Sequence, residues 1–374
     1  MKVINVAIIG QGRSGRYIHG QYLKTDPAHY RIAAVADPIP ERRAMAAGEY
    51  RCAVYKDYRE IFGQQHIDLI VNASPSHQHV PITLESLKAG FHVLCEKPLA
   101  SRVKDADRLI AASKKHGRVL AIFQQARFAP YFLKVREVIN SGVLGRIVQI
   151  SVKFNGFSRR WDWQTLQNCN GGSLLNTGPH PLDQALTLFG EGKPDVRCFM
   201  DRANTYGNAE DHVKLILSGE GHPLIDIEIS CCCAYPETTY NVYGACGGMK
   251  ATQSNAEWKF FKLNEAPRRK LIKAPLRTPD GSPAYCGENL SWRGGKWPAE
   301  EKAGKTAGKT GYVPSSPGAD MSAAFYAMLY KSLTANAPLE ITPEQVRRQI
   351  AVIEECRRQN PRIYGKGRGR SQHK

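Results

Sequence analysis

Short hydrophobic runs alternate with more polar segments through the first third of the chain. The runs have the length of buried strands, and the segments between them fit helices. The expected strands lie at 1–10, 31–36, 52–55, 68–73, 91–95 and 118–123, and the expected helices at 16–24, 40–49, 58–63, 80–89 and 101–115. Strands that alternate with helices in this way predict a parallel, doubly wound α/β sheet, which we place in a first domain over residues 1–124.

The pattern changes after residue 124. A helix is expected at 127–141 and a long strand at 145–157, followed by strand-like segments at 194–202, 211–219, 224–233 and 238–246. Successive strands separated by turns predict a second domain of α+β type, residues 125–374, with a large, mostly antiparallel sheet. The stretch 277–318, rich in glycine, proline and lysine, is expected to be a long irregular loop or lid. Two C-terminal helices are expected at 317–336 and 343–359.

Composition narrows the class of protein. With 374 residues, 42% hydrophobic and 23% charged, the chain has the composition of a globular protein, and no apolar run is long enough to span a membrane. The first apolar run enters a glycine-rich turn without a cleavage site, so we interpret it as a strand and not as a secretion signal. The 10 cysteines, three of them consecutive at 231–233, have no metal-ligand spacing. They predict a reduced, cytoplasmic protein without a metal site.

The charge balance is strongly basic, with 52 basic and 34 acidic residues and a net charge of +18. Such an excess raises nucleic acid as a partner. Part of it, however, lies in the lysine-rich segment 296–309 and in the tail 366–374, so a general surface field is the favoured explanation and a nucleic-acid site is not expected. An anionic small substrate also fits this charge.

Polar residues follow the ends of four predicted strands. The first strand enters Gly10-Gln11-Gly12-Arg13-Ser14-Gly15, a G-x-G-x-x-G turn whose glycines allow the close approach of a diphosphate. The second ends at Asp37, where dinucleotide folds place the acid that binds the ribose hydroxyls. The others end at Ser74 and at Glu96-Lys97-Pro98. Right-handed crossovers bring these ends along one edge of the sheet, so Lys97 is expected in a ligand crevice and not in a solvated loop.

A second group of candidates lies in the segment 170–186. If residues 181–189 are helical, His180 lies at the amino end of that helix, where the dipole favours the neutral imidazole that a general base requires. Asp183 could orient the imidazole or bind free backbone amides. A capping histidine at an ordinary helix start is the alternative explanation.

The tripeptide Trp161-Asp162-Trp163 combines aromatic rings with an acid, which suits the apolar face and the hydroxyls of a sugar. Core or interface tryptophans are the alternative. With Arg127, Arg159 and Arg160, these residues favour a carbohydrate substrate, neutral or acidic. His77 and His79 have no partners at metal-ligand spacing, and we interpret them as lining a cofactor or capping a helix.

Taken together, the glycine-rich strand end, Asp37, Ser74-Pro75-Ser76-His77-Gln78-His79, Glu96-Lys97-Pro98 and Gly171-Gly172…Gly178-x-His180-x-x-Asp183 resemble the signature set of the Gfo/Idh/MocA oxidoreductases. This is the family of glucose-fructose oxidoreductase and inositol dehydrogenase. The resemblance implies a Rossmann domain, an open-faced sheet domain, bound NAD(H) or NADP(H), and hydride exchange with a sugar, polyol or related hydroxyl compound. It also implies a homodimer or homotetramer formed through the large sheet.

The resemblance assigns roles to single residues. Lys97 is expected to contact the reacting hydroxyl and His180 to act as acid and base. Many members have Asp where this chain has Asn176, and an amide cannot exchange a proton there, so Asn176 is expected only to position. Pro98 is expected to fix the turn after Lys97. A cis peptide bond between Lys97 and Pro98 is one way in which it could do so.

The expected site consists of four groups. The catalytic candidates are Lys97, His180, Asn176 and Asp183. The cofactor candidates are Gly10, Gln11, Gly12, Arg13, Ser14, Gly15, Asp37, Ser74, Pro75, His79, Glu96 and Gln124. The substrate candidates are Arg127, Trp161 and Trp163, and no metal ligand is expected. Asp37 would repel a 2′-phosphate and favours NAD, while Arg42 and Arg43 could accept that phosphate and leave NADP possible.

Two other function classes remain beside the dehydrogenase. One is a glycoside-cleaving enzyme that retains its NAD and oxidises the sugar transiently. The other is a non-catalytic metabolite sensor whose basic tail contacts nucleic acid. The presence of both Lys97 and His180 argues against the sensor.

Overall fold

The computed structural model describes residues 2–64, 66–298 and 317–365 of the chain. Its first sheet has six strands in the order β3-β2-β1-β4-β5-β6, all of them parallel. The strands are β1 Ile4–Ile9, β2 Tyr30–Ala36, β3 Ala53–Tyr55, β4 Leu69–Asn72, β5 His92–Cys95 and β6 Leu120–Ile122. The predicted doubly wound parallel sheet is therefore confirmed.

Helices cover both faces of this sheet. They are α1 Gln21–Thr25, α2 Pro40–Tyr50, α3 His79–Lys88 and α4 Val103–His116, with a 3-10 turn at Tyr58–Gly63. Local sequence sets several helix ends. Pro40 occupies the first position of α2, where its missing amide is not needed. Gly117 ends α4 in the left-handed conformation, with φ of 60°. The predicted helix 16–24 differs, because residues Gly15–Gly20 form a wider π-helix before α1 begins.

The second sheet has eight strands in the order β14-β13-β12-β11-β7-β10-β9-β8. Neighbouring strands are antiparallel except β7 and β10, which are parallel, so the predicted mostly antiparallel sheet is confirmed. The strands are β7 Ile147–Asn155, β8 Asp195–Asp201, β9 His212–Ser218, β10 Leu224–Ser230, β11 Tyr240–Gly244, β12 Gly247–Ala251, β13 Ala256–Phe260 and β14 Arg293–Trp297.

The helices of the second half are α5 Pro130–Asn140, α6 Ser173–Asn176, α7 Pro179–Phe189, α8 Pro317–Ala335, α9 Pro343–Gln359 and α10 Pro361–Tyr364. Alternate residues of β9, such as Val213 and Leu215, pack into a core with α5 and α7, and the other face of the sheet has no helix on it in the described part of the chain. Burying each such aliphatic side chain stabilises the fold by about 1.5–3 kcal/mol.

The C-terminal helices connect the two halves of the molecule. Phe325 and Leu329 of α8 lie in the core of the parallel sheet, together with Ile350 of α9. Ile353 and Cys356, about one and two helical turns further along α9, lie in the core of the second sheet. Helix α9 thus contacts both cores and fixes the crevice between them. None of the helices in the described residues has the length and hydrophobicity needed to cross a membrane.

The sequence analysis did not predict three of the strands. The segments of β12 and β13 were assigned no element, and β14 lies inside the expected loop 277–318. Strand β14 contains Gly294 and Gly295, whose Cβ atoms would lie 2.3 Å from the Trp258 carbonyl oxygen and 2.4 Å from its ring. The glycines fit the close approach of β13 but remove the alternation that marks a strand. Residues 277–292 of the expected loop form no helix or strand, as expected, and residues 317 and 318 belong to α8. Residues 299–316 of that loop and the tail 366–374 lie outside the described residues.

Candidate active site

A crevice of about 480 Å³ lies at the carboxyl edge of the parallel sheet, where the sequence analysis places the ligand. The ends of β1, β2, β4 and β5 form one wall. The opposite wall comes from the second domain. The predicted site residues that line the crevice are Gly10, Gly12, Arg13, Ser14, Asp37, Ser74, Pro75, His79, Glu96, Lys97, Asn176 and Trp163.

The glycine-rich turn fits a dinucleotide. A Cβ on Gly10, whose φ is +91°, would lie 2.6 Å from the Ala73 carbonyl oxygen, and one on Gly15 would lie 1.8 Å from the Gly10 carbonyl oxygen. A Cβ on Gly12 would meet nothing within 4 Å, because this glycine borders the open crevice. The outer glycines thus allow the tight turn and the close helix contact, and Gly12 leaves its backbone open to a diphosphate.

Asp37 holds this turn in place. Its buried carboxylate accepts hydrogen bonds from the backbone N–H of Gln11 at 2.7 Å and of Ile39 at 2.9 Å. The carboxylate keeps further lone pairs for ribose hydroxyls, since each oxygen can accept more than one hydrogen bond. Gln11 itself is buried beneath the turn and does not line the crevice.

Two cations near Asp37 bear on the choice of cofactor. The Arg42 guanidinium lies 3.5 Å from the Asp37 carboxylate and lines the crevice, as does Lys56, which the sequence analysis missed. Arg43 donates instead to the backbone carbonyl of Asp37 at 2.7 Å. Of the two predicted arginines, Arg42 lines the crevice beside Asp37 and Arg43 does not.

The turn after β4 is built by Asn72 and His79. Asn72 accepts from the Ser74 hydroxyl at 2.7 Å and donates to the His79 carbonyl oxygen at 3.1 Å. The two ring nitrogens of His79 lie 2.7 Å from the Pro98 carbonyl oxygen and 2.9 Å from the Ser74 carbonyl oxygen. Burial lowers the pKa of His79. His79 thus ties the turn at Ser74 to the Lys97–Pro98 bond, which is cis as the sequence analysis proposed.

Lys97 bridges the two walls of the crevice. Its Nζ donates to the Asn176 backbone carbonyl at 2.7 Å, and the Asn176 side-chain oxygen accepts from Gln164 Nε2 at 3.2 Å. Burial lowers the pKa of Lys97, the Glu96 charge opposes this, and the charges of Arg13 and Arg160 lower it further. The ammonium group is thus anchored by one hydrogen bond and has further donors for a ligand.

His180 lies in the first turn of α7. Burial and the charge of Lys97 lower the pKa of His180 to about 3, and Glu96 only partly opposes them. The imidazole is therefore neutral at physiological pH. Its buried Nδ1 has no hydrogen-bond partner among the described residues. A neutral imidazole with an unpartnered ring nitrogen can accept a proton. His180 does not itself line the crevice, but it lies near enough to Lys97 for the ammonium charge to affect its pKa.

The glycine pair before α6 is explained by a residue that the sequence analysis missed. Gly172 has φ of +105°, and a Cβ there would lie 2.4 Å from the carboxylate of Glu210. Buried Glu210 accepts from the Leu174 backbone N–H at 2.8 Å and from the Tyr364 hydroxyl. Burial raises the pKa of Glu210. Glu210 thus fixes the segment that carries Asn176.

Arg127 and Asp183 form a buried ion pair with each other. The Arg127 Nε donates to Asp183 Oδ2 at 2.8 Å, a second donor contacts Oδ1, and the Arg127 Nη1 donates to Gln345 Oε1 at 2.6 Å. Neither residue lines the crevice. The expectations that Asp183 orients His180 and that Arg127 contacts substrate are thus replaced by a structural pair that joins α7 to α9, because the guanidinium offers the carboxylate a closer partner.

Of the remaining candidates, Trp163 lines the crevice, whereas Gln124 and Trp161 do not. Gln124, expected to bind cofactor, is buried and donates to Gln349 Oε1 at 3.0 Å and to the Pro179 carbonyl oxygen at 3.4 Å, so it supports the start of α7. Trp163 lines the crevice, held by Asp162, which caps its short 3-10 turn. Trp161 is 78% exposed and lies outside the lining.

Comparison with known proteins gives a consistent result. The model of an oxidoreductase family with an NAD-binding Rossmann fold, GFO_IDH_MocA, matches residues 4–124, and that of the GFO/IDH/MocA C-terminal domain matches residues 132–250. An uncharacterized oxidoreductase of Schizosaccharomyces pombe is 33% identical over 198 residues, which are 51% of this chain and 53% of the relative. The chain thus spans about half the length of this relative.

Two other matches extend over nearly the whole chain. A scyllo-inositol 2-dehydrogenase (NADP(+)) of Bacillus subtilis is 25% identical over 94% of this chain and 92% of that protein. The crystal structure of an NAD-binding protein from Listeria innocua superposes with a TM-score of 0.77 at 20% identity, over 96% of this chain and 97% of that one. The second match demonstrates the shared fold.

Proposed function

The chain belongs to the Gfo/Idh/MocA oxidoreductase family, and we propose that it transfers a hydride between a nicotinamide cofactor and a hydroxyl-bearing carbon of a sugar, inositol or sugar derivative. The observation that carries this proposal is Lys97 in the lining of the dinucleotide crevice, with a neutral His180 near enough for the Lys97 charge to lower its pKa. The inositol dehydrogenase relative, which aligns over nearly the whole chain, supports the substrate class.

The proposed chemistry divides between two side chains. Bound nicotinamide supplies the hydride acceptor for oxidation and the donor for the reverse reaction. The His180 imidazole, which is neutral at physiological pH because its pKa is about 3, accepts the hydroxyl proton and returns it in the reverse reaction. The Lys97 ammonium stabilises the negative charge that develops on the oxygen. Asn176 holds Lys97 through its backbone carbonyl and takes no part in proton transfer.

We propose NAD as the preferred cofactor, with NADP accepted more weakly. The buried Asp37 carboxylate lies where a 2′-phosphate would add a second negative charge. Arg42 and Lys56 line the same end of the crevice and would offset part of that repulsion.

We further propose that the open face of the second sheet forms a homodimer or homotetramer interface in a cytoplasmic protein. Support comes from apolar side chains on that face, with Phe199 66%, Tyr243 47% and Leu224 39% exposed. Light scattering of the purified chain tests the assembly, and a monomer at micromolar concentration would contradict it. Phe199→Asp should weaken the assembly, whereas Tyr235→Asp, at a 91% exposed loop position, serves as control.

The activity itself is tested by a screen. Purified protein, with any bound nucleotide identified first, is mixed with NAD or NADP and a panel of sugars, inositols, sugar acids and glycosides. Reduced nucleotide should form with at least one neutral or acidic polyhydroxy compound. Aglycone release without net reduction would support the glycoside-cleaving alternative, and no reaction across the panel would contradict both.

A further inference from the structure

A chain of buried hydrogen bonds links Tyr326 through His19 to Glu96, the residue before Lys97. Only the Glu96 end of this chain lines the crevice. The Tyr326 hydroxyl lies 2.8 Å from His19 Nδ1, and His19 Nε2 lies 3.2 Å from Glu96 Oε1. The other Glu96 oxygen accepts from the Lys97 backbone N–H at 3.0 Å. His19 is 0% exposed and Glu96 5% exposed, so water cannot replace these partners.

The direction of these hydrogen bonds follows from the groups involved. A carboxylate only accepts, so His19 Nε2 must donate to Glu96. The other ring nitrogen, Nδ1, pairs with the Tyr326 hydroxyl, which donates to a singly protonated ring and accepts from a doubly protonated one. Each group thus fixes the next, from helix α8 through His19 to the residue that precedes Lys97.

The fold holds both ends of this line rigidly. His19 lies in the π-helical turn directly after the glycine-rich loop, a distortion that often marks functional sites. The Tyr326 ring stacks on Tyr22 at 4.6 Å, and its backbone carbonyl accepts from the Tyr30 hydroxyl at 2.7 Å. The Phe123 ring packs 4.5 Å from the imidazole. None of these contacts involves a residue that lines the crevice.

We propose that His19 and Tyr326 are positioning residues, which hold Glu96 ionised and in place so that its charge keeps the buried Lys97 ammonium protonated. The inference deepens the proposed function, since it states what the proposed catalytic lysine depends on. An ionised carboxylate in a buried site needs hydrogen-bond donors and a nearby cation, and Glu96 has both. Removing His19 leaves one carboxylate oxygen without its donor.

The electrostatics of the neighbours agree with this role. Burial acts to raise the pKa of Glu96, but the hydrogen bond and charge of His19, with the charge of Lys97, lower it to about 2. The Glu96 charge in turn opposes the effect of burial on Lys97. The titratable and charged groups around the Glu96–Lys97 pair are His19, His79 and Tyr326 behind it, and Arg13, Arg160 and His180 on the crevice side.

The test is a pH titration of Glu96 by difference infrared spectroscopy of its protonated carboxyl group, with Glu96→Gln to assign the signal. It needs no substrate. In wild type the signal should be absent from about pH 4 to about pH 9. In His19→Leu, which has no donor for Glu96, the Glu96 pKa should rise by about 2 units or more, because burial then acts without the opposing hydrogen bond. Tyr326→Phe should raise it less, in the same direction, and covers the case in which His19→Leu does not fold.

The matched control is Tyr22→Phe, which removes a hydroxyl from the same aromatic cluster. That hydroxyl donates to Asp26 at 3.1 Å and does not reach His19. An unchanged Glu96 titration in both His19→Leu and Tyr326→Phe, or an equal shift in Tyr22→Phe, would overturn the inference.

Activity separates this inference from the proposed function. With a substrate from the screen, Tyr326→Phe and His19→Leu should gain an acidic limb in the pH profile of kcat, while the Kd for NAD changes less than about twofold. Full activity of His19→Leu at every pH contradicts the inference alone. A shifted Glu96 titration in a protein that oxidises no polyhydroxy compound contradicts the proposed function alone.

Discussion

The two walls of the crevice are built by different means. The wall formed by the strand ends depends on turns at those ends, namely on glycines and on the Asp37 carboxylate, which binds the amides of Ile39 and of Gln11, 26 residues away. The opposite wall depends on contacts between distant segments, such as Lys97 with Asn176, 79 residues apart, and Glu210 with the Leu174 amide, 36 residues apart. Substitutions after residue 124 should therefore leave the first wall intact, whereas they should disturb the second wall.

The largest effect is expected where the walls meet. Lys97→Ala removes the cation beside the reacting oxygen and should lower kcat by about 10³-fold, in the range measured for loss of a charge-stabilising donor. NAD affinity, set by the first wall, should change little. Steady-state kinetics and calorimetry measure the two quantities. The matched control is Lys104→Ala, at an exposed position of α4, which should leave both unchanged. Normal turnover in Lys97→Ala would contradict the assignment.

The Arg127–Asp183 pair tests whether the second wall rests on buried contacts. Arg127→Gln leaves the Asp183 carboxylate buried without its partner and should lower the free energy of unfolding by about 3–5 kcal/mol. KM should stay near wild type, since Arg127 does not line the crevice. Urea unfolding gives the first value. Arg347→Gln, which breaks the exposed pair with Asp107, should cost less than about 1 kcal/mol. A raised KM at unchanged stability would restore Arg127 to substrate binding.

Gly172→Ala tests the fit of the catalytic segment against Glu210. The added Cβ meets the Glu210 carboxylate and the φ of +105° disfavours alanine, so Asn176 and His180 should shift. A displacement near 1 Å costs about 10²-fold in kcat. NAD affinity should remain. Gly48→Ala, whose Cβ would meet nothing within 4 Å, is the control and should be neutral or stabilising. Equal kinetics for the two variants would show that the second wall is not so rigid.

The pH dependence of kcat tests the protonation states of His180 and Lys97. The His180 pKa of about 3 keeps the imidazole neutral above pH 4, so kcat for oxidation should show no His180 limb between pH 5 and 8. Activity should fall at alkaline pH as Lys97 loses its proton, and the fall should begin below the usual lysine value because burial lowers the Lys97 pKa. A limb with a midpoint near 6.5, the ordinary imidazole value, would contradict the environment assigned to His180.

The smallest effect is expected at the ribose end of the first wall. Arg42→Ala should weaken NADP binding by about tenfold and leave NAD binding unchanged, the loss expected for one charge-assisted hydrogen bond. Calorimetry with both nucleotides measures it. Arg43→Ala is the matched control, since Arg43 donates to the Asp37 carbonyl and does not line the crevice. Equal losses in the two variants would place both arginines at the phosphate.

The same contrast explains what could be predicted from the sequence. Gly10, Asp37, Ser74 and Lys97 were placed correctly at the sheet edge, because strand ends and turn residues follow from local patterns. Asn72, which builds the turn at Ser74, is a polar residue one position before the end of the predicted strand 68–73, and this place is a signal that could have identified it.

Residues that act through contacts with distant segments have no such local signal in the sequence. Glu210, Gln164 and His19 act through contacts with segments distant in sequence. Asp183 likewise pairs with Arg127, 56 residues away, and not with His180. Sequence spacing on a helix showed that Asp183 was close to His180, but it could not show which distant guanidinium would bind it. Strand β14 was missed because its glycines serve close strand packing and not a hydrophobic face.

The most direct test of the central claim follows the transferred hydrogen. The polyol or sugar that reduces NAD fastest is prepared with deuterium at its hydroxyl-bearing carbons and incubated with the protein, and the reduced nucleotide is analysed by mass spectrometry. Hydride transfer beside Lys97 and His180 predicts one deuterium in the nicotinamide of each NADH formed. Product that forms with all of its deuterium retained and none in the nucleotide would contradict the proposal.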